Sequence, residues 1–332
     1  MPACFQEYAA HVKPALDAAV SSQLEQLLGP VVFGHPHDLP GLTGGKRIRG
    51  ALLCLVTASL GGSLEAAMPR AVAVELIQTA TLVHDDFVDQ HRFRRNQPAL
   101  WTLAGARRAV LLGDVVFSSA IHRMSELGRE DCGIVAKAIA DLSRGAYQEP
   151  LDAVAMLEAV GRDDACSVDY ESIIALKTGI LFAAACELGA VAGGVDGPQQ
   201  LLWRRYGQKI GEAYQIADDL QEVAQALGRA TLSPGELAEL APALRFFLPQ
   251  SLAAVCGAIR SGAVVPMSAL LPYLQELGDA MQTALEQRLH AATDALRGAA
   301  PEGPLGHLVR RAPWDLIGMF NAGELRVVGG VS

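Results

Sequence analysis

The chain has 332 residues, 51% of them hydrophobic and 19% charged, with mean hydropathy +0.24, a composition that excludes bulk disorder and allows one large or two ordinary domains. Its 27 basic and 36 acidic residues leave a net charge of −9, so a general attraction to nucleic-acid backbones or anionic lipid is not expected and any anion must be held by a local cluster. Aromatics are 5% while Ala, Leu and Val dominate, which favours an all-helical protein over a barrel or sandwich.

From Gln6 to Leu28 apolar residues recur at helical spacing, and the run breaks at the Pro/Gly-rich GPVVFGHPHDLPGLTGGKR. Helices are then expected at 46–60, 66–90, 106–127, 131–158, 167–193, 198–228, 235–262 and 266–298, with Gly or Pro at nearly every junction. No repeat or Ser/Gly linker divides the chain, so residues 1–299 read as a single-domain helical bundle and 300–332 as a tail. Six cysteines lie scattered without a C-x-x-C pair, which fits a reduced, cytoplasmic setting. The N-terminus carries Glu7, His11, Lys13 and Asp17 where an export signal needs an apolar run, and the charge-free stretch Gly50 to Leu64 is too short to cross a bilayer. His35 and His37 have no partner spacing for zinc.

Two acidic motifs stand out. In LVHDDFVDQ, Asp85, Asp86 and Asp89 project within about 100° of arc on a helix among mainly apolar neighbours (Thr79 to Val83, Phe87 and Val88), where uncompensated charge is expensive. YQIADDLQEV repeats the geometry 133 residues later with Asp218, Asp219 and Glu222. Hard divalent cations take oxygen ligands, and Mg²⁺ combines one or two carboxylates with substrate phosphates. Two such clusters facing across a bundle would hold a diphosphate through bridging Mg²⁺; a solvated acidic face is the plainer reading of either motif alone. His84 reads as a structural hydrogen-bonding residue, since Mg²⁺ prefers oxygen, and Asp114 as a residue that caps or orients a helix.

Five segments together resemble the trans-isoprenyl diphosphate synthases, the head-to-tail polyprenyl synthetases: GGKRIRG at 44–50, HDDFVDQHRFRRNQP at 84–98, VLLGDVVFSSA at 110–120, DYESIIALKTGILFAAACELGA at 169–190 and GEAYQIADDLQEV at 211–223. The resemblance implies an all-α fold around a deep apolar cavity, a homodimer, and condensation of isopentenyl diphosphate with an allylic diphosphate, three Mg²⁺ ions bridging the latter. On this likeness Asp85, Asp86, Asp89, Asp218, Asp219 and Glu222 are the metal-binding set. Arg94 and Lys177 match contacts to the allylic diphosphate, and Lys46, Arg49, Gln78 and Arg95 match the isopentenyl diphosphate site. The Lys177 carbonyl, the Thr178 hydroxyl and the Gln215 amide oxygen would face the developing carbocation. The departing diphosphate would take the final proton, so no side-chain base is required.

The chain also departs from the pattern. Glu222 stands where the second motif normally ends in Asp, Asn96 replaces a glycine, and no lysine follows Lys209, leaving Arg229 as the nearest substitute for a lysine that contacts the allylic diphosphate. These departures leave room for a cyclase-like relative, a prenyltransferase to another acceptor, or a non-catalytic partner subunit. The basic set Lys46, Arg49, Gln78 and Arg95 favours elongation, because a cyclase has no need of it. Thr81 and Ile77 lie about 6 and 12 Å below Asp85 at 1.5 Å per residue, and with Ala80 they leave no aromatic plug, so a product of C20 or longer is expected.

Overall fold

The computed structural model describes residues 2–29, 42–148, 170–251, 255–257, 261–299 and 301–319. Eleven helices are described: α1 (Phe5–Leu28), α2 (Ile48–Ser59), α3 (Leu64–Val88), α4 (Leu100–Ala104), α5 (Ala106–Leu127), α6 (Arg129–Gln148), α7 (Tyr170–Ala192), α8 (Gly197–Leu227), α9 (Pro234–Phe247), α10 (Met267–Ala295) and α11 (Gly303–Gly318). Two-residue antiparallel ladders pair Phe93–Arg94 with Gln97–Pro98 and Thr231–Leu232 with Val265–Pro266. The expected all-α bundle is therefore observed.

Periodicity explains the buried faces. Helix α1 buries Phe5, Tyr8, Val12, Leu16, Val20, Leu24 and Leu28, a stripe at three- and four-residue spacing that packs against α2, α3, α5 and α11. Helix α7 from Ile180 to Ala190 is apolar except for Glu187, which pairs with Arg204 at 2.6 Å, and is buried throughout, because α2, α3, α6 and α8 surround it. By length and composition it could cross a membrane, but 78% of its apolar window is buried in the bundle. A second apolar cluster joins α8, α9 and α10.

Helix starts follow their caps: Ser63 accepts from Ala66 N at α3, Asp196 from Gln199 N at α8, and Ser233 with Glu236 forms a capping box at α9. The expected helix over 235–262 is interrupted: α9 stops at Phe247 and residues 255–257 are helical again. Phe247 is the last residue of α9 because Leu248 precedes Pro249, which disfavours helical geometry at that residue. The expected extension of α6 to 158 lies outside the described residues, as do His35, His37 and the tail beyond 319.

Within the tail, α11 was not anticipated, yet it belongs to the main core. Leu308, Val309, Ala312 and Leu316 join the cluster that contains α1, α2, α3 and α7. The buried Asp315 carboxylate accepts the Phe5 N–H at 2.8 Å, capping α1 from across the chain where its own N-cap, Cys4, supplies no side-chain acceptor.

Candidate active site

A cavity of about 560 Å³ opens between the N-terminal turn of α2, the C-terminal half of α3, α6, α7 and α8. Its wall carries six cationic side chains, Lys46, Arg47, Arg49, Arg94, Arg95 and Lys177, against three carboxylates, Glu75, Asp85 and Asp218. A chain of net charge −9 thus concentrates positive charge in one pocket. Ile48, Leu82, Leu142 and Ala146 supply apolar wall, and Gln78, Thr79, Thr81, Thr178, Tyr214 and Gln215 complete the polar part.

The basic side comes from two short segments. Gly44 and Gly45 adopt φ of +84° and +108°, conformations open to glycine, and a Cβ on Gly45 would stand 3.0 Å from an Arg95 guanidinium nitrogen. Glycine at 45 therefore lets the loop lie against Arg95. Arg95 and Asn96 have φ of +52° and +61° at the centre of the Arg94–Gln97 hairpin, the left-handed pair that a tight two-residue turn requires. Asparagine tolerates that conformation, which accounts for Asn96 in place of glycine. Burial, then the neighbouring Arg94 and Arg47 charges, lowers the Arg95 pKa. Arg49 lies over the Phe182 ring at 4.4 Å, a cation–π contact, and burial lowers its pKa as well.

The first acidic motif divides. Asp85 lines the cavity, whereas Asp86 is 4% exposed and receives Arg94 Nε at 2.7 Å and Arg94 Nη2 at 2.6 Å on one oxygen. Asp89 is the C-cap residue of α3, exposed at the helix end and outside the cavity wall. The triplet expected to share one role is thus split among the cavity, an ion pair and a helix terminus. His84 behaves as a structural residue, its Nε2 at 3.0 Å from the Val110 carbonyl. Asp114 is not a cap: it sits inside α5, 3.5 Å from His84.

The second motif also divides. Asp218 lines the same cavity as Asp85, its pKa raised by burial and held down partly by Lys46. Asp219 lies behind it, accepting the Tyr170 hydroxyl and Gln215 Nε2, the latter at 2.8 Å; burial pushes its pKa up to about 6. Glu222, one turn further and also off the cavity wall, is pushed up to about 7 by burial and then by Asp219 and Asp218. Desolvation is the largest cause of both shifts, and Lys177 acts against it. Arg229 adds no charge at the cavity wall: it is about half exposed, ion-pairs with Glu236 of the α9 capping box, and is absent from the wall.

Lys177 and Thr178 sit in a six-residue π-helical segment, Ile174–Gly179, inside α7. Such a bulge frees backbone carbonyls from the regular ladder, and Gln208 Nε2 donates to the Ala175 carbonyl at 3.1 Å. The Thr178 hydroxyl donates to Gln215 Oε1 at 2.6 Å, so these two oxygens are joined to one another at the wall. Of the three positions expected to set depth, only Thr81 reaches the cavity. Ile77 and Ala80 are fully buried in the core and absent from the cavity wall.

Sequence reasoning missed Glu75, Arg47, Tyr170 and Tyr214. Arg47 lay inside the GGKRIRG segment and Tyr214 one turn before Asp218, both within reach of a spacing argument. Glu75 lies on the Asp85 helix ten residues upstream, and Tyr170 meets Asp219 only through the tertiary fold.

Every expected residue of the basic set, together with Asp85, Asp218, Arg94, Lys177, Thr178 and Gln215, converges on this cavity. The profile of the family described as Polyprenyl synthetase matches residues 39–230, which contains all of them. Similar curated proteins include a geranylgeranyl diphosphate synthase of Methanosarcina mazei, 31% identical over 54% of this chain and 55% of its own length. Another is heptaprenyl diphosphate synthase component 2 of Geobacillus stearothermophilus, 35% identical over 61% of this chain and 62% of its own. The matches thus span little more than half of these relatives. Among solved structures, a polyprenyl synthase of Caulobacter crescentus complexed with calcium and isoprenyl diphosphate superposes with a TM-score of 0.69, 25% identity, and coverage of 94% of this chain and 97% of that one. With more than half of the sequence under the family profile and the matching fold around one cavity, the chain belongs to the polyprenyl synthetase family.

Proposed function

We propose that this chain is a Mg²⁺-dependent prenyltransferase that condenses isopentenyl diphosphate with an allylic diphosphate, head to tail. The observation that carries the reading is that Asp85 and Asp218, 133 residues apart in sequence, wall one cavity together with six cationic side chains. Among the described residues no three His, Cys, Asp or Glu side chains converge tightly enough to hold a metal alone. The two carboxylates of the cavity wall, Asp85 and Asp218, form a donor set that suits Mg²⁺, which keeps positions for phosphate oxygens. Asp85 and Asp218 would hold it, Asp86, Asp89, Asp219 and Glu222 being the other members of the two motifs; bound there, three ions would offset the charge that develops on the leaving diphosphate.

The protein's own groups do the rest. Lys177 and Arg94 bind the allylic diphosphate, and Lys46, Arg49, Gln78 and Arg95 bind the second diphosphate and orient its double bond. As the allylic carbon–oxygen bond breaks and the new carbon–carbon bond forms, the Lys177 carbonyl, Thr178 hydroxyl and Gln215 amide oxygen stabilise the carbocation. Ile48, Leu82, Leu142 and Ala146 keep water from it. The departing diphosphate accepts the proton lost from the condensed product. Thr81 offers no bulky stop one turn below Asp85, which supports a product of C20 or longer, made by a cytoplasmic homodimer.

The test is incubation of purified protein with Mg²⁺, isopentenyl diphosphate and geranyl or farnesyl diphosphate, followed by chain-length measurement. Elongated diphosphates are expected. Their absence alongside a released hydrocarbon would favour cyclisation, a reading supported by the lack of a lysine after the second motif. Absence of both products would favour a non-catalytic partner subunit.

A further inference from the structure

The basic wall raises a physical difficulty that one buried acid resolves. Arg47, Arg49 and Arg95 share a partly desolvated pocket with Lys46, and the pKa of Arg49 and of Arg95 is lowered by burial. Like charges held this close splay apart unless something anchors them. Glu75 of α3 is 5% exposed and lies in the same wall. Its Oε1 accepts the Gly50 N–H at 2.8 Å, and its Oε2 stands 3.5 Å from Arg47 Nη1. Arg47 also bonds Asp17 of α1 through Nε at 2.8 Å.

Gly50 is the third residue of α2, whose N-cap Arg47 has φ +53° and makes no side-chain cap. Glu75 therefore supplies from a neighbouring helix the acceptor that the first turn lacks. Close approach is part of the arrangement, since a Cβ on Gly50 would meet Glu75 Cγ at 3.1 Å and Oε1 at 3.2 Å. Lys46 and Arg49 flank the turn so anchored, and the Arg49 Nε, shielded from solvent, has no hydrogen-bond partner among the described residues. A group left unpaired in this way awaits an acceptor from a ligand.

We propose that Glu75 is a positioning residue that fixes the first turn of α2 and so aims Lys46 and Arg49 at the second diphosphate. The inference rests on the reading that this cluster takes a diphosphate. It makes a prediction opposite in sign to simple electrostatics. Removing a negative charge from a cationic pocket should tighten anion binding if charge alone mattered; removing the anchor should weaken it.

The test is titration calorimetry of inorganic pyrophosphate into the full-length protein in EDTA, for wild type, Glu75→Leu, which removes the acceptor of the Gly50 N–H, and Gly50→Ala. The second variant keeps the charge and only displaces the carboxylate, so it carries the test if the first fails to fold by circular dichroism. Glu75→Leu should weaken pyrophosphate about tenfold and Gly50→Ala severalfold. In the elongation assay both should raise KM for isopentenyl diphosphate while kcat and KM for the allylic substrate stay near wild type. Unchanged or tighter pyrophosphate binding by both variants would overturn the positioning role. Failure of the wild type to bind pyrophosphate would instead overturn the underlying reading of the cluster, and this inference with it.

Discussion

Asp86 was expected to bind metal and Arg94 the allylic diphosphate, yet the structure pairs them with one another, and that pairing has a measurable cost when broken. The Asp86 side chain is 5% exposed and that of Arg94 26%. Removing one partner of a buried pair typically costs about 3–5 kcal/mol, because the other charge is left unpaired. With a quarter of Arg94 in contact with water, the lower end applies, and Arg94→Gln should destabilise the metal-free protein by about 2–3 kcal/mol. For a chain of this size that is roughly 5 °C in Tm. Asp86→Asn with Arg94→Gln should recover much of the loss, giving a coupling of about 2 kcal/mol in a double-mutant cycle read by urea unfolding. Function adds a second axis. If the pair opens so that Asp86 meets metal and Arg94 meets diphosphate, then Asp86→Asn should abolish turnover. If Asp86 serves only to hold Arg94, turnover should fall modestly. A cycle with no coupling would refute the claim that the pair is formed in the resting protein.

Three further outcomes follow from particular contacts. Asp315→Ala should cost about 1–2 kcal/mol in urea unfolding, the usual value of a helix cap, because the Phe5 N–H loses its acceptor; unchanged stability would mean that α11 does not cap α1. Thr81→Phe should shorten the product, whereas Ile77→Val should leave chain length unchanged, since Ile77 is core and not wall; product analysis by mass spectrometry separates them. In EDTA, burial favours the protonated forms of Asp219 and Glu222, so the native state binds more protons than the unfolded chain from about pH 4 to 7. Their contribution is complete below that window and lost above it. Tm should therefore fall as pH rises through the window, and Glu222→Gln should flatten the slope.

How much the sequence disclosed depended on how local the signal was. Helices α1, α3, α5, α7, α8 and α10 were legible because each carries apolar residues at helical period over many turns. Helix α11 carries the same signal in Leu308, Val309, Ala312 and Leu316, obscured by the Pro- and Gly-rich run before it. The end of α9 at Phe247 was written in Pro249, yet the apolar period on either side of it carried the expected helix through. The short hairpin at 93–98 was not legible, because Arg95 and Asn96 lack the glycine that usually marks such a turn. Within the site, Asp85 and Asp218 emerged from spacing. The diversion of Asp86 to Arg94 and of Asp219 to Tyr170 did not, because spacing places carboxylates on one arc but cannot say which partner reaches them first. Glu75 was hidden for a related reason: on an apolar helix a single acid gives no pattern, and its meaning appears only once α2 lies against it.

The central claim is that Asp85 and Asp218 grip one metal–diphosphate unit between them. Titration of Mn²⁺ followed by electron paramagnetic resonance, with and without pyrophosphate, tests it on wild type, Asp85→Ala and Asp218→Ala. The account predicts tight Mn²⁺ binding by the wild type only when pyrophosphate is present, and its loss in either variant. Mn²⁺ binding that persists undiminished in both variants, or that ignores pyrophosphate, would contradict it.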